Sequence, residues 1–271
     1  MQHRFSNEVI IVTGGTSGIG KALVAQFLDQ GAIVATCGRN ARKLEALERE
    51  FSGKSLFTQI VDVSREQDCQ SFVEQVIVRY GKINVLVNNA GMSMRALFDE
   101  LKDLTVMKEL MDINFWGSVY CTYYAMGALK ASRGTVVGVS SVAGYRGLPG
   151  RAGYSASKFA LQGFLEVLRT ENLHSGMNIM WVSPGFTASN IRNTALNKDG
   201  VAQAETPLDE KKLMSAEAVA AEIIKAITAR KRTRVMTTEG KLAVWMNKLF
   251  PSLADKLIYN HFKKEPGSPL K

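Results

Sequence analysis

Residues 8–28 read Glu8-Val-Ile-Ile-Val-Thr13-Gly-Gly-Thr-Ser-Gly-Ile-Gly20-Lys-Ala-Leu-Val-Ala-Gln-Phe-Leu28. Val9 to Val12 form an unbroken apolar, β-branched run, as expected of a strand buried on both faces. From Lys21 the pattern becomes helical. Between the two, Gly14, Gly18 and Gly20 stand in the spacing G-x-x-x-G-x-G. Glycines permit a tight turn and close approach, so that backbone N–H groups and the positive end of the following helix can meet a pyrophosphate. Gly14, Thr16, Ser17, Gly18, Ile19 and Gly20 are therefore candidate phosphate contacts. Alone, the motif also fits a plain strand-to-helix turn, and the flanking strand and helix favour the nucleotide reading.

Outward from this unit the same alternation continues. Ala32–Cys37, Ser55–Val61, Ile83–Asn88, Thr135–Ser140 and Asn178–Ser183 read as further buried strands, and Thr233–Met236 as a short seventh. Helices are expected over 18–30, 41–51, 64–80, 103–131 and 152–175, and over Ser215–Ala229 with Ser215 as its cap. Strand and helix in strict alternation require right-handed crossovers. The fold class is thus α/β, a doubly wound, Rossmann-like parallel sheet in a single domain over residues 1–239. Residues 186–214 are polar, follow a strand end and are expected to form a substrate lid. Residues 240–271 form an amphipathic, basic C-terminal extension, expected to fold as two short helices broken at Pro251.

The composition fits this picture. The chain has 271 residues, 46% hydrophobic and 22% charged, enough for one sizeable core. Three cysteines (Cys37, Cys69, Cys121) and three histidines (His3, His174, His261) are too sparse for a disulfide framework or a metal cluster. No apolar leader opens the chain and no run of about 18 apolar residues occurs, so a cytoplasmic location, at most peripheral to a membrane, is expected. The formal net charge is +9, and residues 211–271 hold 13 Lys and Arg against 5 Asp and Glu, an excess of 8. Such a tail suits an anionic surface or simple solvation. Nucleic acid is disfavoured because no reader motif accompanies it.

Chemistry concentrates at the predicted strand ends. After the second strand stands Cys37-Gly38-Arg39, where an acidic residue would hold the two ribose hydroxyls of NAD. Gly38 repels no phosphate and the Arg39 guanidinium can grip one, which favours NADP(H) over NAD(H). Asp62 and Val63 end the third strand; Asn88, Ala90 and Gly91 end the fourth. These positions suit adenine and ribose, or simply close turns. Tyr154 and Lys158 lie one helical turn apart and share a face. A nearby ammonium favours phenolate and would pull the tyrosine pKa down from about 10. Ser141, at the end of the fifth strand, can donate to a substrate carbonyl.

Together these residues resemble the short-chain dehydrogenase/reductase family, in its classical branch, over residues 6–236. The resemblance rests on the glycine turn at 13–20, Asp62, Asn88-Asn-Ala-Gly91, Asn114, Ser141, Tyr154-Ser-Ala-Ser-Lys158 and Pro184-Gly185 with Thr187. It implies a seven-stranded sheet and a catalytic tetrad of Asn114, Ser141, Tyr154 and Lys158, with Tyr154 as general acid and base. Lys158 would also hold the nicotinamide ribose, Asn114 would anchor a proton-relaying water, and Thr187 would touch the carboxamide. Pro184 and Gly185 would line the cofactor. A homodimer or homotetramer built through the helices at 103–131 and 152–175 is also implied. Ser17 departs from the basic residue that many NADP-preferring relatives carry there.

The lid residues Phe186, Ile191, Leu196 and Leu208, with Val142, Tyr145, Leu148 and Pro149 after Ser141, point to a moderately lipophilic ketone or alcohol, long-chain or steroid-like. A non-catalytic NADPH-binding sensor or scaffold is the alternative, and the intact tetrad argues against it. The C-terminal stripe of Leu and aromatic residues is expected to pack on protein, with an anionic bilayer as the alternative.

Overall fold

The computed structural model describes residues 4–185, 187, 191, 194–203, 213–264, 268 and 270. Its centre is a seven-stranded, all-parallel sheet in the order β3-β2-β1-β4-β5-β6-β7. The strands are β1 (Val9–Thr13), β2 (Ile33–Gly38), β3 (Leu56–Ile60), β4 (Val85–Asn88), β5 (Thr135–Val139), β6 (Asn178–Ser183) and β7 (Thr233–Val235). Strands β1, β4, β5 and β6 are buried along their whole length, which explains their continuous hydrophobic runs.

Helices cover both faces. On one side α1 (Gly18–Asp29) and α7 (Ala216–Thr228) pack over Ile10, Val12, Val87, Val137 and Val182. On the other, α3 (Glu66–Tyr80), α5 (Gly117–Ala131) and α6 (Ala152–Glu171) pack over Ile11, Leu86, Val136 and Ile179. Successive strand residues face opposite sides, so Ile10 and Ile11 serve different halves of the core. The helix α2 (Ala41–Glu50) flanks β2 and β3 and is capped by Asn40, whose side chain accepts from Lys43 N at 3.0 Å. Ser215 caps α7 as its sequence suggests, accepting from Ala218 N at 3.1 Å.

The helix expected over 103–131 is interrupted. The short helix α4 (Thr105–Met111) passes into a π-helical segment, Asp112–Trp116, before α5 begins. Two contacts explain the irregularity. Asn114 is fully buried and exchanges hydrogen bonds with the Met92 backbone, while Gly117 lies so close to Val63 that a Cβ there would be 2.9 Å from the Val63 oxygen. An extra residue in the turn lets both contacts form at once. The final helices, α8 (Thr238–Leu249) and α9 (Pro251–Lys263), meet at Pro251, which opens α9 where its missing N–H costs nothing.

Of the expected lid, residues 186, 188–190, 192–193 and 204–212 lie outside the described residues, and with them Phe186 and Leu208. The stretch 194–203 is held against the segment after β4: Arg95 N donates to Leu196 O at 2.8 Å and Leu196 N to Ser93 O at 2.9 Å.

Candidate active site

Strand order reverses between β1 and β4, and the crevice beyond their carboxyl ends is where an open α/β sheet binds ligands. The loop leaving β1 fills one wall. Gly14 and Gly18 adopt φ of +70° and +52°, conformations that residues with a Cβ rarely take. A Cβ at Gly20 would lie 2.2 Å from Gly14 O and 2.5 Å from Asn89 Nδ2. Ser17 precedes α1, whose first turn holds no acidic residue, so its positive end stays uncompensated. Thr16 packs beside Gly38, where a Cβ would be 3.2 Å from the threonine methyl. Arg39 is exposed next to this contact and, among the described residues, makes no ion pair. Ile19 instead turns inward against the core. Glycine backbone, helix terminus and guanidinium thus suit a nucleotide diphosphate and a ribose phosphate.

Asn89, which the sequence reading passed over, joins the two walls. Its Nδ2 donates to Thr13 O at 2.9 Å and Gly14 O at 3.3 Å. Thr13 Oγ1 in turn accepts from the N–H groups of Asn89 and Ala90, each at 3.0 Å. The side chain of Asn88 faces the other way, donating to Thr122 Oγ1 on α5 at 2.9 Å. The period of two along a strand places neighbours on opposite faces, which a motif string does not reveal. Asp62 closes its own turn, accepting from Ser64 N at 3.1 Å and Ser64 Oγ at 2.7 Å, and Val63 is buried against α5.

Across the crevice, Tyr154 and Lys158 project from the first turns of α6. Ser141, which caps the short turn Val142–Gly144 after β5, stands near enough to Tyr154 to favour its phenolate. Lys158 Nζ donates to Val139 O at 2.9 Å and lies 5.7 Å from the centroid of the Tyr154 ring. Gly91 abuts both partners: a Cβ there would be 3.0 Å from Asn114 Oδ1 and 3.5 Å from Lys158 Nζ. Asn114 donates through Nδ2 to Ser157 Oγ at 2.9 Å, which ties the π-helical segment to α6. Ser157 is a second contact the sequence reading missed; its place inside the Tyr154–Lys158 turn was the available signal.

On the third side stand Pro184, buried, and Gly185, where a Cβ would meet the Thr237 methyl at 2.4 Å. Thr187 Oγ1 donates to Gly185 O at 3.0 Å. Met94, Leu110 and Leu196 form an apolar cluster with Met92, Met107 and Tyr154 packed against it. These methionines, invisible as a motif because they come from two segments, give this side of the crevice a soft apolar wall. Tyr145, expected in that wall, turns away: its hydroxyl accepts from Trp181 Nε1 at 2.7 Å.

Electrostatics separate the two central groups. Burial raises the Tyr154 pKa and outweighs the opposing hydrogen bond from Ser141, so the phenol is protonated at neutral pH. This reverses the direction expected from spacing alone, because desolvation is the larger effect. Burial lowers Lys158 from 10.5 to about 8. Below pH 8 folded and unfolded chains both carry the ammonium, and the folded state bears the full desolvation cost. As pH rises from about 8 to 10.5 the folded state sheds its proton first and that cost vanishes. Over this window wild type should gain about 3 kcal/mol on Lys158→Met in denaturant unfolding of the nucleotide-free protein. A gap independent of pH would show that Lys158 keeps an ordinary pKa. The three cysteines are buried and free, and burial pushes the Cys37 thiol up to about 12, so it packs rather than reacts.

Comparison with known proteins agrees with this geometry. Residues 8–200 match the short chain dehydrogenase family. The chain is 37% identical to 11-beta-hydroxysteroid dehydrogenase 1A of Arabidopsis thaliana over 187 residues, 68% of this chain and 53% of that one. The match therefore spans about half the length of that relative. Among solved structures, an alcohol dehydrogenase of Thermococcus sibiricus complexed with 5-hydroxy-NADP superposes with a TM-score of 0.74 at 22% identity, covering 85% of this chain and 96% of that one. A short chain dehydrogenase/reductase of Burkholderia phymatum in complex with NAD gives 0.79 at 19% identity, covering 92% and 95%. A doubly wound parallel sheet, a glycine turn at the switch point and a family match over most of the sequence converge: the chain belongs to the short-chain dehydrogenase/reductase family.

Proposed function

We propose that this protein is an NADP(H)-dependent oxidoreductase interconverting a carbonyl and a secondary alcohol, with Tyr154 as general acid and base. The observation that carries this reading is buried Lys158, one helical turn from Tyr154 with its Nζ 5.7 Å from the centroid of the tyrosine ring. The bound nicotinamide supplies or accepts the hydride. In carbonyl reduction Tyr154 gives its proton to the substrate oxygen, and in alcohol oxidation it takes that proton back. Ser141 orients the oxygen and stabilises the charge developing on it. Lys158 holds the nicotinamide ribose hydroxyls and favours the phenolate once the proton has left. Asn114, locked to Met92 and Ser157, keeps the turn beside Lys158 in place for proton return through water.

The substrate is a moderately lipophilic ketone or its alcohol, steroid-like or long-chain. The apolar methionine wall and the hydroxysteroid activity in the relative's name both support this class. A homo-oligomer assembled through α5 and α6 accompanies this function, since Tyr123 and Val167 on those helices are 71% and 56% exposed.

The nucleotide is NADP(H) because Gly38, packed against Thr16, puts no carboxylate at the end of β2, and the exposed Arg39 beside it can meet a 2′-phosphate. NADPH should bind at least about tenfold more tightly than NADH, about 1.4 kcal/mol, and Arg39→Ala should erase most of that preference. Fluorescence titration of both nucleotides decides it, and equal affinities in wild type refute the assignment. NADPH oxidation against a panel of ketones, aldehydes and steroids then tests the substrate class; turnover confined to small polar carbonyls would overturn it.

A further inference from the structure

Within the single chain, the C-terminal hairpin leaves its apolar stripe open. Leu242, Trp245, Leu249, Phe250, Leu253 and Leu257 are each between 48% and 55% exposed. Leu242, Trp245 and Leu249 fall within one narrow stripe of α8, and Leu253 and Leu257 one turn apart on α9. The protein side of the hairpin is meanwhile firmly attached. Arg146 Nη1 donates to Asn247 Oδ1 at 2.9 Å, Arg146 also pairs with Asp255, and Asn247 Nδ2 donates to Tyr145 O at 3.0 Å. Gly240 sits where a Cβ would be 3.0 Å from Val142, and Phe262 is buried beneath Arg151. The outward face is thus a built surface on the loop that follows Ser141.

Charge identifies its occupant. Residues 240–264 carry five lysines and a single acidic residue, Asp255, which is turned to Arg146. All five, Lys241, Lys248, Lys256, Lys263 and Lys264, are exposed. We propose that the α8–α9 hairpin docks this protein on an anionic phospholipid bilayer. The six apolar side chains enter the boundary between headgroups and acyl chains, and the lysines reach up to the phosphates. Helices of 12 and 13 residues are too short to span a bilayer, so the hairpin lies in the interface plane. A second copy fits the same face poorly, because a two-fold contact sets like-charged lysine clusters against each other.

The test uses the full chain without nucleotide or substrate, so it stands apart from the oxidoreductase reading. The protein is sedimented with phosphatidylcholine vesicles containing or lacking phosphatidylglycerol at low salt. It should pellet with the anionic vesicles and stay in solution with the neutral ones. Leu249→Glu/Leu253→Glu and Lys241→Glu/Lys248→Glu should each weaken binding at least about tenfold. Both pairs sit at exposed positions, and unchanged thermal melting verifies their fold. On binding, the part of the emission lost in Trp245→Phe should shift to the blue. Failure to pellet with anionic vesicles overturns the proposal. So does a concentration-dependent dimer that the leucine variant abolishes, which would assign the face to a second copy.

Discussion

Replacing Tyr154 by Phe is expected to lower kcat/KM for carbonyl reduction by about a thousandfold, with nucleotide affinity changed by less than about threefold. The phenyl ring keeps the contact with the Met94 and Leu196 cluster, so only the hydroxyl is lost. That hydroxyl is the group that burial keeps protonated and that Ser141 faces. Its neighbours are turned to other partners: Lys158 donates to Val139 O, and Asn114 is engaged by Met92 and Ser157. Steady-state kinetics with the best carbonyl substrate, alongside fluorescence titration of NADPH, reads both quantities. Activity within about tenfold of wild type would remove Tyr154 from the chemistry.

Gly20→Ala should damage nucleotide binding at its root. The added methyl would lie 2.2 Å from the Gly14 carbonyl oxygen, which is backbone, and 2.5 Å from Asn89 Nδ2, a side-chain end held by two hydrogen bonds. The glycine turn must move away from β4, breaking the hydrogen bonds from Asn89 to Thr13 and Gly14. Overpacking of this kind costs about 1–3 kcal/mol in stability. Because we propose this turn as the diphosphate cradle, nucleotide affinity should fall by at least about thirtyfold, some 2 kcal/mol. Thermal melting with and without NADPH separates the two effects: the melting temperature drops, and the upward shift with nucleotide shrinks. A full nucleotide-induced shift in this variant would mean that the phosphate does not rest on this turn.

How much of this could be read from the chain depended on the range of the interaction. The strands announced themselves because burial on both faces demands uninterrupted apolar runs, as in Val9–Val12 and Val136–Val137. The glycine turn and the Tyr154–Lys158 pair were equally visible, since each needs only a local spacing. Asn89 went unnoticed beside Asn88 because pleat, and not composition, decides which amide faces the glycine loop. The π-helical break at 112–116 was hidden for a similar reason. It answers Met92 and Val63, residues about 20 and 50 positions away, and carries no local propensity signal.

The hairpin shows the limit from the other direction. Periodicity correctly gave two helices divided at Pro251, yet an amphipathic stripe says only that one face is apolar, not what covers it. By itself, then, the sequence determined the alternation of strands and helices, the glycine turn after β1 and the one-turn spacing of Tyr154 and Lys158, all properties of neighbours along the chain. Tertiary structure alone decided which groups meet across the β1–β4 crevice, the direction of the Tyr154 and Lys158 shifts, and which face of α8 and α9 remains open. These depend on desolvation and on contacts between distant segments, and both exist only once the chain has closed around its core.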